Sequence, residues 1–112
     1  MQPPISAGNL FAALPDASAE EVFDELFSRD GVRIERIVSN GQSSPPDFWF
    51  DQPHHEWVIV LQGEARLEIA GQPQLHSMQP GDYLHLPPHC RHRVDWTTPD
   101  QATVWLAVHL PA

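Results

Sequence analysis

From Val32 onward, apolar and polar residues alternate with a period of two. In VRIERIV, residues Val32, Ile34 and Arg36 share one side, and Arg33, Glu35 and Ile37 share the other. Successive side chains of an extended chain point to opposite faces, so this period predicts a strand. The turn-rich NGQSSPPD follows. Beyond it come WVIVLQG, EARLEIAG, DYLHLPP, RHRVDW and TVWLAVHL, separated by Gly63, Gly71, Pro80-Gly81, Pro87-Pro88 and Thr98-Pro99-Asp100. Short strands at a spacing of roughly 8–12 residues, with turn signals between them, predict an antiparallel sandwich or barrel. The strand order is not written in the periodicity.

The first thirty residues follow another pattern. Pro3, Pro4, Gly8 and Pro15 interrupt residues 1–15, which reads as an arm lying on the domain. Ser18-Ala19-Glu20-Glu21 has the capping-box spacing, and Val22, Phe23, Leu26 and Phe27 follow at helical intervals. One short helix is expected over about residues 19–28, stopped by Asp30-Gly31. The expected organisation is a single domain over 1–112, with arm and helix in 1–30 and a β-barrel in 31–112; a chain of 112 residues suffices for one core and not two.

Charge narrows the range of partners. Fifteen acidic residues stand against six arginines and no lysine, for a net charge of −9, which argues against nucleic acid or an anionic membrane surface as partner. Without lysine, neither a Schiff base nor a phosphate-loop lysine is possible. Cys90 is the single cysteine, so no intrachain disulfide forms. MQPPISAGNLFAALPD lacks the basic start and apolar run of a secretory signal, and no stretch approaches the roughly 18 apolar residues of a membrane span, so a cytoplasmic location is expected.

The candidate chemistry sits in DQPHHEW, residues 51–57, which sets two imidazoles against a carboxylate. In a strand, His54 shares a face with Glu56 and His55 points away, unless Pro53 leaves the segment in a loop or bulge where alternation fails. Further on, Glu56 precedes Gly63 by seven positions, and Pro80-Gly81-Asp82 leads through Pro87 to His92. Taken together these spacings resemble the two motifs of the cupin superfamily. The string IERIVSNGQSSP with FWFDQ, EWV, LPPH, HRV and TVWLAV also resembles small bacterial single-domain cupins of undetermined function.

The resemblance implies an all-β fold, the double-stranded β-helix or jelly-roll barrel. It also implies a divalent metal ion (zinc, iron, nickel or manganese), since the family's ligands are commonly two histidines and a glutamate from the first motif and a histidine from the second. That set carries over cleanly only to Glu56 and His92. The usual His-x-His places hold Phe50 and Gln52, or Trp49 and Asp51, and His89 stands where many relatives have glycine. Alternation makes His54, Glu56 and His92 the expected ligands, a set of two histidines and one carboxylate that leaves open positions on a metal, with His55 as the alternative. Gln52, Tyr83, His85 and Trp96 are the expected pocket residues, Trp96 because it shares strand parity with His92, although His85 reads equally as facing water. His76 and His109 are expected at the surface, His89 as a structural or exposed turn residue, and Cys90 as a small buried thiol.

Three functions fit this pattern. One is a metal-dependent enzyme acting on a small molecule, such as an oxygenase, isomerase or decarboxylase. Another is a non-catalytic ligand-binding or sensing module. The third is metal-free acid/base catalysis on a sugar-like substrate, with His54 or His92 as base and Tyr83 as acid. Whether the chain is an enzyme is left open. A small-molecule ligand and, by likeness to small cupins, a homodimer are the expected partners.

Overall fold

In a computed structural model, which describes residues 3–112, the chain forms eight strands and no helix among the described residues. They are β1 (Val22–Arg29), β2 (Val32–Ser39), β3 (His55–Gln62), β4 (Ala65–Ile69), β5 (His76–Met78), β6 (Tyr83–Leu86), β7 (His92–Thr97) and β8 (Thr103–Leu110). Five of them make one sheet in the order β1-β2-β8-β3-β6, and three make a second in the order β5-β4-β7. All pairings are antiparallel. The expected all-β jelly-roll architecture is present.

The helix expected over residues 19–28 is not there, and its place is taken by β1. Val22 to Arg29 pairs antiparallel with Val38 to Val32, and the register shifts between Glu25 and Phe27. That bulge explains the misleading pattern, because one extra residue at Leu26 turns a period of two into the i, i+1, i+4, i+5 spacing of a helix face. An isolated helix of ten residues is marginal in water, whereas pairing along β2 satisfies the backbone of the whole segment. Asp30-Gly31 is correspondingly no helix stop: with φ of 53° and 82° it is the two-residue turn of the β1–β2 hairpin. Ser18, expected to cap a helix, instead donates its backbone N–H to Asp16 at 2.9 Å.

Met1 and Gln2 of the expected arm lie outside the described residues. The rest of the arm runs without strand as far as Val22 and is fastened from β2. Arg36 Nη1 donates to the carbonyls of Leu10 at 3.1 Å and Ala12 at 3.2 Å, while Nη2 holds Asp24 of β1 at 2.7 Å. One guanidinium thus ties arm, β1 and β2 together.

Alternation decides the core. Val58 and Val60 of β3, Ile37 of β2, and Trp105 and Ala107 of β8 face Ala65, Leu67 and Ile69 of β4 and Met78 of β5 between the two sheets. Burying such side chains is the main favourable contribution to folding, about 25 cal/mol for each Å² of apolar area removed from water. The tight β3–β4 connection depends on Gly63, where φ is +80° and an added Cβ would lie 2.8 Å from Thr103 Cα. Gly63→Ala is therefore expected to destabilise the protein by about 2 kcal/mol, combining left-handed strain with backbone overlap. A urea midpoint equal to that of the parent chain would contradict this.

Candidate functional site

Between the sheets lies a cavity of about 200 Å³. Its apolar walls include Ile37, Val58, Leu67, Leu86 and Trp105. Its polar side groups Glu56 and Gln52 with His92, His109, Glu35 and Arg33. Polar groups gathered on one side of an otherwise apolar pocket of modest size suit a small ligand held in a fixed orientation.

Strand parity places the two motif residues. Glu56 shares a face with Val58 and Val60 and is 8% exposed, and His92 enters from β7 at 6% exposed. His92 Nε2 lies 3.5 Å from Glu56 Oε1. Its Nδ1 donates to the Cys90 carbonyl at 2.8 Å, which fixes that nitrogen as N–H because a carbonyl can only accept. Glu56 then faces either a lone pair on Nε2, which would repel a carboxylate, or a proton shared between them. The protonation balance favours the proton. Burial works against the imidazolium, but the Glu56 hydrogen bond, the Cys90 carbonyl and the charge of Glu56 outweigh it and raise the His92 pKa above its ordinary value.

A pKa raised in the folded state contributes stability that is complete below the unfolded value and is lost as pH rises through the folded one. Stability is therefore expected to decline as His92 deprotonates above the ordinary imidazole range, and Glu56→Gln should move the His92 titration to lower pH. A histidine-selective NMR titration reads both, and an unchanged His92 midpoint in Glu56→Gln would contradict the pairing.

A second titratable chain runs beside the first. His109 was expected at the surface, yet it is 4% exposed on the inner face of β8, in register with Glu56. His109 Nε2 meets Glu35 Oε1 at 2.8 Å, and its Nδ1 meets His54 Nε2 at 2.9 Å. An ionised Glu35 can only accept, so His109 donates to it from Nε2; a neutral His109 then accepts from His54 at Nδ1, and an imidazolium donates to it there. His54 meets either arrangement as a neutral ring. Its pKa is lowered by burial first, then by the charges of His109 and Arg33, with Glu56 opposing. Glu35 Oε2 also lies 3.6 Å from Arg33 Nε. Parity along Thr103, Trp105, Ala107 and His109 was the sequence signal that could have found His109, and the alternation in VRIERIV the one that could have found Glu35.

Other expected residues are placed elsewhere. His55 and His85 meet each other at 2.8 Å on the exposed outer side of β3 and β6, with Nδ1 of His55 facing Nε2 of His85. Tyr83 is 59% exposed and packs its ring against Trp57. Trp96 lies under the Arg66 guanidinium, 4.7 Å from its ring centre, and does not line the cavity. The reason is a register shift: Arg66 pairs with Trp96 but Leu67 with Val94, so a bulge at Asp95 reverses the parity that starts at His92. Gln52 does line the cavity, as does Phe50, whose ring stacks on His92 with centroids 5.3 Å apart. His89 takes φ of +60°, which accounts for glycine being common there, and is held by Asp51 at 2.8 Å. Burial raises the Cys90 thiol pKa, leaving it neutral against the core.

The expected metal ligands do not assemble. Among the described residues no group of three or more His, Cys, Asp or Glu side chains is arranged to hold a metal ion. Glu56 and His92 face each other, but His54 turns its Nε2 to His109, His55 lies on the outer side, and Phe50 occupies a usual histidine place as a ring stacked on His92. The donor set therefore does not fit the three-ligand arrangement that parity alone suggested.

Comparison with known proteins agrees with this architecture. The family model described as the cupin domain matches residues 35–109. A solved structure from Ralstonia eutropha JMP134, provisionally described as a mannose-6-phosphate isomerase, is 53% identical, with a TM-score of 0.93 over 96% of this chain and 100% of its own. An RmlC-like cupin from Desulfovibrio desulfuricans matches at 19% identity and a TM-score of 0.78, covering 96% of this chain and 98% of its own. A cupin superfamily protein from Desulfitobacterium hafniense DCB-2 matches at 20% identity and a TM-score of 0.75, covering 97% and 94%. Those two show the fold alone. No curated protein matches the chain. Among the described residues no helix is long and apolar enough to cross a membrane.

Proposed function

Because the chain belongs to the cupin domain family, we propose that it binds a small hydroxylated carbonyl compound between its sheets and moves a proton on it with the Glu56–His92 pair. The observation that carries this reading is the pair itself, two buried groups 3.5 Å apart at the wall of a cavity, the carboxylate raising the pKa of the imidazole. A carboxylate that can take a proton beside an imidazolium that can give one is the apparatus of general acid/base catalysis, worth typically 10²–10⁴-fold in rate. The Cys90 carbonyl holds the ring so that Nε2, and not Nδ1, faces the cavity. The apolar walls keep water away from the transferred proton. The relative from Ralstonia eutropha, provisionally described as a mannose-6-phosphate isomerase, lends support, since proton transfer beside a carbonyl is one route of sugar isomerisation.

The test is solvent exchange. The full chain, stripped of metal with a chelator, is incubated in D₂O with a panel of small aldoses and ketoses, and loss of the C–H signal beside the carbonyl is followed by NMR. Exchange should persist without metal and fall by at least a hundredfold in Glu56→Gln and His92→Gln. Exchange that returns only when zinc, iron, nickel or manganese is added would overturn the metal-free reading. A compound that binds and is recovered with its hydrogen intact would instead identify a module that retains its ligand without turnover.

A further inference from the structure

Independently of the chemistry between the sheets, we infer that the outer face of the five-stranded sheet is the interface of a homodimer, two copies packed face to face about a twofold axis along β8. The registers set Phe27, Ile34, Val108, Trp57 and His85 in one row across all five strands. Glu35, Glu56 and His109, the chain neighbours of Ile34, Trp57 and Val108, line the cavity, so alternation turns the row outward. Leu106 and Ile59 pair in the next row and point outward as well. β3 and β8 are thus apolar on both faces, the pattern of strands covered on both sides. The second sheet covers the inner side, and the arm is fastened to the outer side at Arg36, beside the β1 edge. Across the rest of the face Phe27 is 50% exposed and Tyr83 59%, while Ile34, Ile59, Trp57 and Val108 each stay partly open to solvent. A continuous apolar surface of this kind marks an interaction site.

Area sets the size of the contact. A compact monomer of 12.6 kDa has an accessible surface of about 6,200 Å². This chain exposes 7102 Å² and measures 55 × 35 × 24 Å. The excess, roughly 900 Å², is close to what each partner buries in an interface of standard size.

A second copy fits because the face complements itself. β8 is the central strand of the five, so a twofold along it lays β2 over the partner's β3 and β1 over the partner's β6. Ile34 then meets the partner's Trp57, and Val108 meets its own equivalent. Asp24 and Tyr83 end the second row on opposite edges, so the same axis brings the Tyr83 hydroxyl to the partner's Asp24 carboxylate. Arg36, the one arginine in these rows, is turned onto Asp24 and the arm carbonyls with its side chain 13% exposed. Apolar residues therefore meet with no unpaired charge between them.

Sedimentation equilibrium of the full chain at micromolar concentration tests this. The parent should give the mass of two 12.6 kDa chains. Ile34→Glu and Trp57→Lys should each sediment as one chain, and an equimolar mixture of the two should recover the dimer, because the twofold sets the two substituted positions against each other. Tyr83→Arg changes a side chain that is already 59% exposed, so it spares the fold of one chain and should still weaken the dimer. Leu75→Lys, 43% exposed between β4 and β5 on the other sheet, should leave the dimer intact. A parent that sediments as one chain would leave this face to a different protein and overturn the inference. So would a dimer unaffected by Tyr83→Arg, whether or not the other variants fold, or folded variants that stay monomeric when mixed.

Discussion

Replacing Trp105 with alanine is expected to lower folding stability by about 3–5 kcal/mol, the range for emptying a buried aromatic site. Trp105 is 3% exposed at the centre of β8, paired with Ile37 on one side and Val60 on the other. It is also the head of a polar chain. Its Nε1 donates to Ser39 Oγ at 3.1 Å, and that hydroxyl spends its own proton on Glu21 at 2.9 Å. Alanine would therefore open a void between the sheets and leave the Ser39 oxygen without its donor. Trp105→Phe separates the two effects, since it keeps most of the ring and removes only the N–H. Its cost should be about 1 kcal/mol, the net worth of one hydrogen bond. Urea unfolding of the three proteins gives the comparison, and an alanine variant within 1 kcal/mol of the parent would refute the assignment of Trp105 to the centre of the core.

The second large effect is expected at Glu35. This carboxylate is 12% exposed and serves two neighbours, His109 at 2.8 Å and Arg33 at 3.6 Å. Glu35→Ala leaves both facing an empty space, and orphaning the buried His109 donor costs about 1–3 kcal/mol. Glu35→Gln keeps an oxygen to accept the His109 proton and should cost far less. The pair carries a spectroscopic prediction as well. In the parent chain, long-range proton–nitrogen NMR should show His109 protonated at Nε2, the position that Glu35 imposes. In Glu35→Ala nothing holds His109 to that tautomer, and its ring signals should change while those of the outer His55–His85 pair stay put. Indistinguishable His109 spectra in the two proteins would show that Glu35 does not set the ring.

Much of this molecule can be read from alternation, and the exceptions share a cause. The strands after Val32 follow the apolar segments closely, and Glu56 and His92 meet because each keeps the inward parity of its strand. Parity failed where the chain inserts a residue. The bulge between Glu25 and Phe27 made a strand look like a helix, and the bulge at Asp95 carried Trp96 from the expected pocket wall to the outer side. A bulge is decided by the partner strand and by the twist of the sheet, neither of which is written in the local pattern. His109 was missed for a different reason. Its strand parity pointed inward, and only its place near the end of the chain suggested the surface. His54 kept the parity of Glu56, but which atom its ring would face depended on His109, fifty-five positions away.

The place of β8 in the larger sheet has a consequence for how the protein is made. It is the last strand in the chain, yet it lies between β2 and β3 and carries both Trp105 and His109. During synthesis, β2 and β3 emerge early with no common neighbour, and their facing edges stay open until residues 103–110 leave the ribosome. Closing the sheet then joins residues some seventy positions apart, a long loop whose entropy is spent before the contact is gained, so folding is expected to be slow. The same strand that shuts the exposed edges also supplies a wall of the cavity between the sheets. A nascent chain therefore passes from an open, aggregation-prone sheet to a closed one that encloses the cavity in a single late event.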